Sequence, residues 1–316
     1  MPVTNQAERE ADETHPGLET SVTAVTLIDA VRFCFFVTLA MRLILLRDSF
    51  ARSGAVATPA THLAFRRTSL TIDGGDRKLE ALLVCPANAP IASVLILHGI
   101  GERLEYWAEA QQLLTSHQIA SLIVHYSGYG GSEGAITPAN LRRDVIAAYA
   151  TMRQRLPEVK SHFVLGLSLG TGVAIEAAPA LTPPPAGIIL CEAFSSFRQA
   201  AAAVCETLRL LRPFSRPLSF LVPDIYRTAA SVRRLGSPLL LVHSDDDELF
   251  PAAMARTIFD TASRNAEASV ELQVLHGFAH NDAYLRPHSG YWQPILAFIE
   301  RVAKRSVARI EDGPER

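Results

Sequence analysis

The sequence predicts an α/β fold: a mostly parallel sheet of eight strands, with helices on both faces and a short helical cap. Three observations lead there. From residue 62 onward, short Val/Ile/Leu-rich runs alternate with longer helical stretches. The first two runs are separated by Asp73-Gly74-Gly75-Asp76, which reads as an antiparallel hairpin. Further on, the run ending at Leu167 passes through Ser168 directly into a helical stretch, a strand–turn–helix junction.

Taken in order, the strands are expected at Ala64–Ile72, Leu79–Cys85, Ser93–Leu97, Ser121–Tyr126, His162–Leu167, Gly187–Cys191, Pro238–His243 and Ser269–Leu275. Near-continuous apolar runs of this kind suit strands buried on both faces. Helices are expected at Glu105–His117, Ala139–Leu156, Leu169–Ala178, Ala252–Ser263 and Tyr291–Arg305. Thr137-Pro138 supplies an N-cap and a first-turn proline for the second of these. The stretch between Cys191 and Pro238 is too long for one connection, so it is expected to hold the cap, at about 194–236.

The 316 residues carry a net charge of −2 and are 48% hydrophobic, enough for a large core. With charge balanced and no basic run, nucleic acid is not an expected partner. Cys34, Cys85, Cys191 and Cys205 lack ligand or CxxC spacing. They read as free thiols of a reducing, cytoplasmic compartment. Neither a metal nor a cofactor is expected. The strand–helix domain is expected over 62–316 and a separate region over 1–61. The latter divides into an acidic tail, an apolar segment at 22–46 interrupted by Asp29, Arg32 and Arg42, and a polar linker. The uninterrupted run Phe33–Met41 falls short of the ~20 residues a bilayer-spanning helix needs. No basic leader precedes it, so a signal peptide is not expected. Three readings stand for 22–46: a helix packed on the domain, an interfacial helix, or a weak transmembrane anchor.

The chemistry gathers at strand ends, where open parallel sheets bind ligands. A serine hydroxyl becomes a nucleophile when it is exposed, rigidly held and beside a base. Gly166 and Gly170 flank Ser168 two residues away on each side, giving the turn room to close. The same Gly-x-Ser-x-Gly pattern recurs at Gly130–Gly134, but Ser132 sits in a glycine-rich loop and reads as structural. The acid is read as Asp247, among Asp245, Asp246 and Glu248; the latter is expected to point away. The base is read as His280, with His276 bonding locally and His288 at the surface. The order Ser168, Asp247, His280 is that of one hydrolase class. Oxyanion donors are expected at the N–H groups of Leu169, next after the serine, and Ile100, between Gly99 and Gly101. Glu102 and His98 read as structural.

With these motifs the chain resembles the α/β-hydrolase superfamily, over about residues 64–305. Within it the likeness is to the serine-hydrolase branch of monoacylglycerol lipases, lysophospholipase-like and serine aminopeptidase-like enzymes. His98–Glu102 is similar to that branch's oxyanion loop, Gly128–Gly134 to its glycine-rich loop, and Gly166–Gly170 to its nucleophile elbow. His243–Pro251 and Gly277–Asp282 are similar to its acid and histidine loops. At Tyr126-Ser127 the chain departs from the acid and arginine that the branch often carries there. The expected function is cleavage of a small-molecule or lipid-like carboxylic ester through an acyl-enzyme on Ser168. An aminopeptidase or thioesterase with the same triad, and a non-catalytic binding protein on this fold, are the alternatives. Membrane contact through 22–46 stays open. The apolar side chains of the cap, from Phe194 to Val222, are expected either to line an acyl pocket or to form the cap's own core.

Overall fold

The computed structural model describes residues 29, 32, 33, 37, 64–207, 211–265 and 269–311. Strands β1 (Phe65–Asp73) and β2 (Lys78–Pro86) form the hairpin, in register from Phe65 opposite Pro86 to Asp73 opposite Lys78. Then come β3 (Ala92–Leu97), β4 (Ile119–Val124), β5 (His162–Leu167), β6 (Gly187–Cys191), β7 (Leu239–Ser244) and β8 (Val270–Leu275). All eight join one sheet in the order β1-β2-β4-β3-β5-β6-β7-β8. The β1–β2 and β2–β4 pairings are antiparallel; from β4 to β8 every pairing is parallel. The carboxyl ends of β3, β5, β6, β7 and β8 therefore open on one edge.

Alternating side chains of each central strand feed two separate cores. Leu95 and Leu97 of β3 join one, with Tyr149, Val173 and Phe194. Val94 and Ile96 join the other, with Trp107, Tyr291 and Phe298. The polar strand residues are paired rather than left bare: Ser93 Oγ lies 2.7 Å from His162 Nδ1, and Gln111 Nε2 donates to Ser121 Oγ at 3.2 Å.

The helices are α1 (Ala108–Ser116), α2 (Pro138–Arg155), α3 (Leu169–Ala177), α4 (Phe197–Thr207), α5 (Ser215–Ser219), α6 (Thr228–Ser231), α7 (Ala253–Ala262), α8 (Asp282–Leu285) and α9 (Gln293–Glu311). Thr137 caps α2, its hydroxyl accepting from Asn140 N. Helices α4 to α6 lie between β6 and β7 and are called the cap below. Strand β4 starts two residues earlier than the sequence suggests, because Gln118 takes φ 57° and turns the chain at once from α1 into the sheet. Tyr126 accordingly leaves the strand and belongs to the turn behind it. The helix expected at Glu105–His117 opens with a separate 3-10 turn, Leu104–Trp107.

The Tyr126-Ser127 turn obtains its ion pair from elsewhere in the chain. Arg77, in the β1–β2 turn, sends Nη2 to Asp144 Oδ1 of α2 at 2.7 Å and Nε to Ser127 Oγ at 2.6 Å. Asp144 Oδ2 accepts from Ser127 N at 2.7 Å. Arg77 and Asp144 are both buried, so the glycine-rich loop is fixed from below.

Of the apolar segment 22–46, Asp29, Arg32, Phe33 and Val37 are described, all helical. Phe33 and Val37 are fully buried in the first core. The Phe33 ring lies 5.1 Å from that of Phe197 and 5.7 Å from that of Tyr226. The rest of that segment, the acidic tail, the 47–61 linker and Cys34 fall outside the described residues. No helix among the described residues is long and apolar enough to cross a membrane.

Candidate active site

Ser168 joins β5 to α3 at φ 53° and ψ −117°, a conformation that non-glycine residues rarely adopt. The neighbours show why both flanking residues are glycine. A Cβ on Gly166 would overlap the Gly170 carbonyl, and a Cβ on Gly170 would overlap the Leu97 carbonyl of β3. The turn at Ser168 is thus pressed against the strand that leads into the His98–Glu102 loop. Gly99 of that loop approaches so closely that an added Cβ would stand 3.2 Å from Ser168 Cβ. Leu169 is the first residue of α3, where backbone N–H groups lack an intrahelical acceptor. Ile100 follows Gly99, and Gly101 takes the positive φ of 77° that turns the loop.

Ser132 is placed differently. Its hydroxyl donates to the His125 carbonyl at 2.7 Å and accepts from Glu80 N at 2.9 Å. The two contacts tie the loop to the chain just after β4 and to β2 of the hairpin, and they occupy the oxygen.

Asp247 and His280 meet directly, His280 Nδ1 lying 2.8 Å from Asp247 Oδ2, with both side chains buried. The other Asp247 oxygen accepts from Leu249 N at 2.7 Å and Phe250 N at 3.0 Å. Burial opposes ionisation of Asp247, but the His280 imidazole and these two N–H groups outweigh it and hold the carboxyl below its usual range. Burial likewise opposes the His280 cation, and the Asp247 carboxylate overcomes it, so the imidazole is raised. With Nδ1 committed to Asp247, Nε2 is the nitrogen left for a substrate or nucleophile proton.

The acids around Asp247 do not merely face water. Asp245 Oδ2 pairs with His276 Nδ1 at 2.6 Å, and Asp246 Oδ2 accepts from Gly277 N at 2.6 Å. Glu248 does not point away as the sequence suggests; its Oε2 accepts from the His280 backbone N at 3.0 Å. The reason is the close approach of the β7 and β8 loops, parallel neighbours whose ends emerge side by side. Four consecutive acids thereby hold the loop after β8 at His276, Gly277 and His280.

His98 is buried and bonds its own loop, Nδ1 to the Gly99 carbonyl at 2.7 Å. Burial lowers it to about 3, so it stays neutral. Glu102 closes the same loop and is buried, its Oε2 accepting from Trp107 Nε1 at 2.7 Å. Burial pushes it up to about 7, against the opposing pull of Trp107, Gly99 and His280.

One residue escaped the sequence reading. Glu192, directly after β6, takes φ 48° and turns its carboxylate inward. It accepts from Ser244 N at 3.2 and 3.1 Å and from Tyr291 Oη at 2.8 Å. His243 Nε2 stands 3.5 Å from Glu192 and 3.7 Å from Asp247 while donating to the Phe250 carbonyl at 3.0 Å. Burial, then the Asp247 carboxylate, raise Glu192 above the usual carboxylate range, which favours its protonated form. The signal available was position alone: an acid at the end of the strand next to β5. Glu192, His243 and Asp247 bring ligand-type atoms within 4.8 Å of one another. Their mutual and backbone hydrogen bonds, and the commitment of Asp247 to His280, make this donor set a poor fit to a cation.

A cleft of about 640 Å³ reaches the acid loop, lined by Ser195, Gln199 and Glu206 on the cap side and by Asp247, Glu248 and Leu249 opposite. Phe194, Phe197 and Val222 are buried in the first core, so that part of the cap packs into the core of the domain rather than forming one of its own. Phe214, Phe220 and Leu221 do neither of the expected things; they face outward.

A family model described as "Serine aminopeptidase, S33" matches residues 88–227. Lysophosphatidylserine lipase ABHD12 of Danio rerio is 26% identical over 190 residues, 54% of this chain and 47% of its own. Protein ABHD12B of Homo sapiens is 28% identical over 201 residues, 60% of this chain and 55% of its own. The chain thus spans about half the length of the curated relatives it matches. Among solved structures, an esterase of Pyrococcus furiosus superposes with a TM-score of 0.61 at 20% identity, over 79% of this chain and 97% of its own.

Proposed function

We propose, from the premise that this chain belongs to the α/β-hydrolase superfamily, that it is a serine hydrolase of carboxylic esters acting through an acyl-enzyme on Ser168. The observation that carries this reading is the Asp247–His280 pair at 2.8 Å, on the same sheet edge as a serine held at φ 53°. In the first half-reaction His280 Nε2 takes the Ser168 proton as the oxygen attacks the carbonyl carbon. The N–H groups of Leu169 and Ile100 receive the oxyanion. The intermediate collapses, the alcohol leaves with the proton from His280, and the acyl group remains on Ser168. Water, deprotonated by the same imidazole, then releases the acid and restores the serine. Asp247 stabilises the imidazolium formed in each half.

A lipid-like ester is the favoured substrate class. Its support is the similarity to a relative named as a lysophosphatidylserine lipase. The machinery does not encode the leaving group. The description of the matching family model keeps aminoacyl amides in view, so the substrate panel includes an ester, a thioester and an aminoacyl amide.

Fluorophosphonate labelling tests the nucleophile. Ser168→Ala is expected to abolish labelling and p-nitrophenyl ester turnover, whereas Ser132→Ala keeps both. Asp247→Asn is expected to lower kcat by roughly 10⁴, as loss of the tautomer-holding acid does elsewhere, with Asp245→Asn mild. Labelling that survives Ser168→Ala and vanishes with Ser132→Ala overturns the assignment.

A further inference from the structure

The second half of the cap is built inside out. Ser215, Ser219 and Val222 are buried, at one-turn spacing, and define its inner side. What flanks them faces solvent: Phe214 is 58% exposed, Phe220 69% and Leu221 63%. Four of the seven exposed large apolar side chains among the described residues fall within the eleven residues Leu211–Leu221, so the exposed apolar side chains are concentrated in one short segment. The same face is cationic. Arg212 and Arg216 are exposed within it, and the Arg198 guanidinium lies 5.4 Å from the centre of the Phe220 ring. Over 194–236 the sequence places seven arginines against only Glu206 and Asp224, in a chain whose net charge is −2.

Aromatic and aliphatic tips ringed by arginines match a surface that is apolar within and anionic outside. We propose that the Leu211–Leu221 face of the cap docks on an anionic phospholipid bilayer. Phe214, Phe220 and Leu221 enter the acyl boundary, and Arg212 and Arg216 meet lipid phosphates. A second copy of the chain is the poorer occupant, because a two-fold contact would set this cationic face against itself. The position is apt: α5 packs on α4, and α4 forms one wall of the cleft that reaches Asp247. Docking does not depend on the hydrolytic reading, and it is measured without turnover.

The test is flotation of the full-length protein with vesicles of phosphatidylcholine alone and of phosphatidylcholine with phosphatidylserine. The unaltered chain is expected to bind the anionic vesicles at least about tenfold more tightly, each arginine near the surface adding to the preference. Phe214→Ser/Phe220→Ser/Leu221→Ser is expected to lose about thirtyfold or more on the anionic vesicles. Arg212→Gln/Arg216→Gln is expected to lose the anionic preference. Thermal melts report folding of each variant, so the test works equally on a chain without any hydrolytic activity. Failure of the unaltered chain to float with anionic vesicles overturns the proposal. So does undiminished flotation of both variants, which would place the contact elsewhere, for instance at 22–46. Self-association without flotation, abolished by the triple variant, overturns it in favour of a second copy.

Discussion

The imidazole of His280 is pulled in two directions. Burial disfavours its cation, the Asp247 carboxylate favours it, and the carboxylate prevails. Activity requires the neutral ring, so kcat/KM for a soluble ester is expected to be low in acid and to rise with pH. Its apparent pKa should lie above the ordinary imidazole value of 6.5. A limb below that value would contradict the Asp247 pairing. Glu192 sharpens the test. With Glu192 protonated, as its raised pKa favours, Glu192→Gln preserves both charge and shape and should leave the limb in place. Were it ionised, the same change would remove a negative charge near Asp247 and move the limb to lower pH. Glu192→Ala strands Ser244 N and Tyr291 Oη. It should cut kcat by roughly tenfold while KM moves little, the mark of a positioning residue. The strand-end positions of Ser168, Asp247 and His280 were legible because each follows an apolar run. Glu192 was not, because a lone acid after a strand looks the same whether it turns inward or into water.

At the scale of elements, the strands were legible because buried parallel strands read as continuous apolar runs. Boundaries failed where a non-glycine residue makes the turn, as Gln118 does at φ 57°. The ion pair under the glycine-rich loop was illegible for a different reason. Arg77 and Asp144 lie 67 residues apart, and nothing in either local sequence records the other. That pair predicts a large effect far from the chemistry. Asp144→Ala would leave the Arg77 guanidinium buried with only Ser127, the Asn140 carbonyl and the exposed Asp76 for company. Unfolding by urea should show a loss of about 3–5 kcal/mol. Arg77→Met combined with Asp144→Leu should lose less than Asp144→Ala alone, since no buried charge is then unpaired. A double variant no better than the single one would mean that packing, not charge, holds the loop.

On the scale of the whole molecule, the question is what the segment before the sheet is for. Phe33 and Val37 stand one helical turn apart, fully buried, with Phe33 on Phe197 of α4 and on Tyr226. Side chains used in this way are not available to a bilayer. They back the inner side of α4, and residues on its other side line the cleft. A truncation starting at Thr61 removes none of the eight described strands, and Ser168, Asp247 and His280 all lie in what remains. It should therefore fold and label with fluorophosphonate. It also uncovers Phe197 and Tyr226, at ~25 cal/mol per Å² of apolar surface returned to water. Its melting temperature should accordingly fall, with hydrogen-exchange protection lost first in α4. Phe33→Ala is bounded by the same quantity. Burial of a phenylalanine is commonly worth about 3–5 kcal/mol, but once the remaining contacts no longer hold the helix in place it undocks. The substitution can then cost no more than the truncation does. Melts of the two should fall in that order, the truncation lowest. A truncation that melts with the full chain and keeps α4 protected would show that the contact contributes nothing. One that is insoluble and unfolded would make the segment part of the core itself.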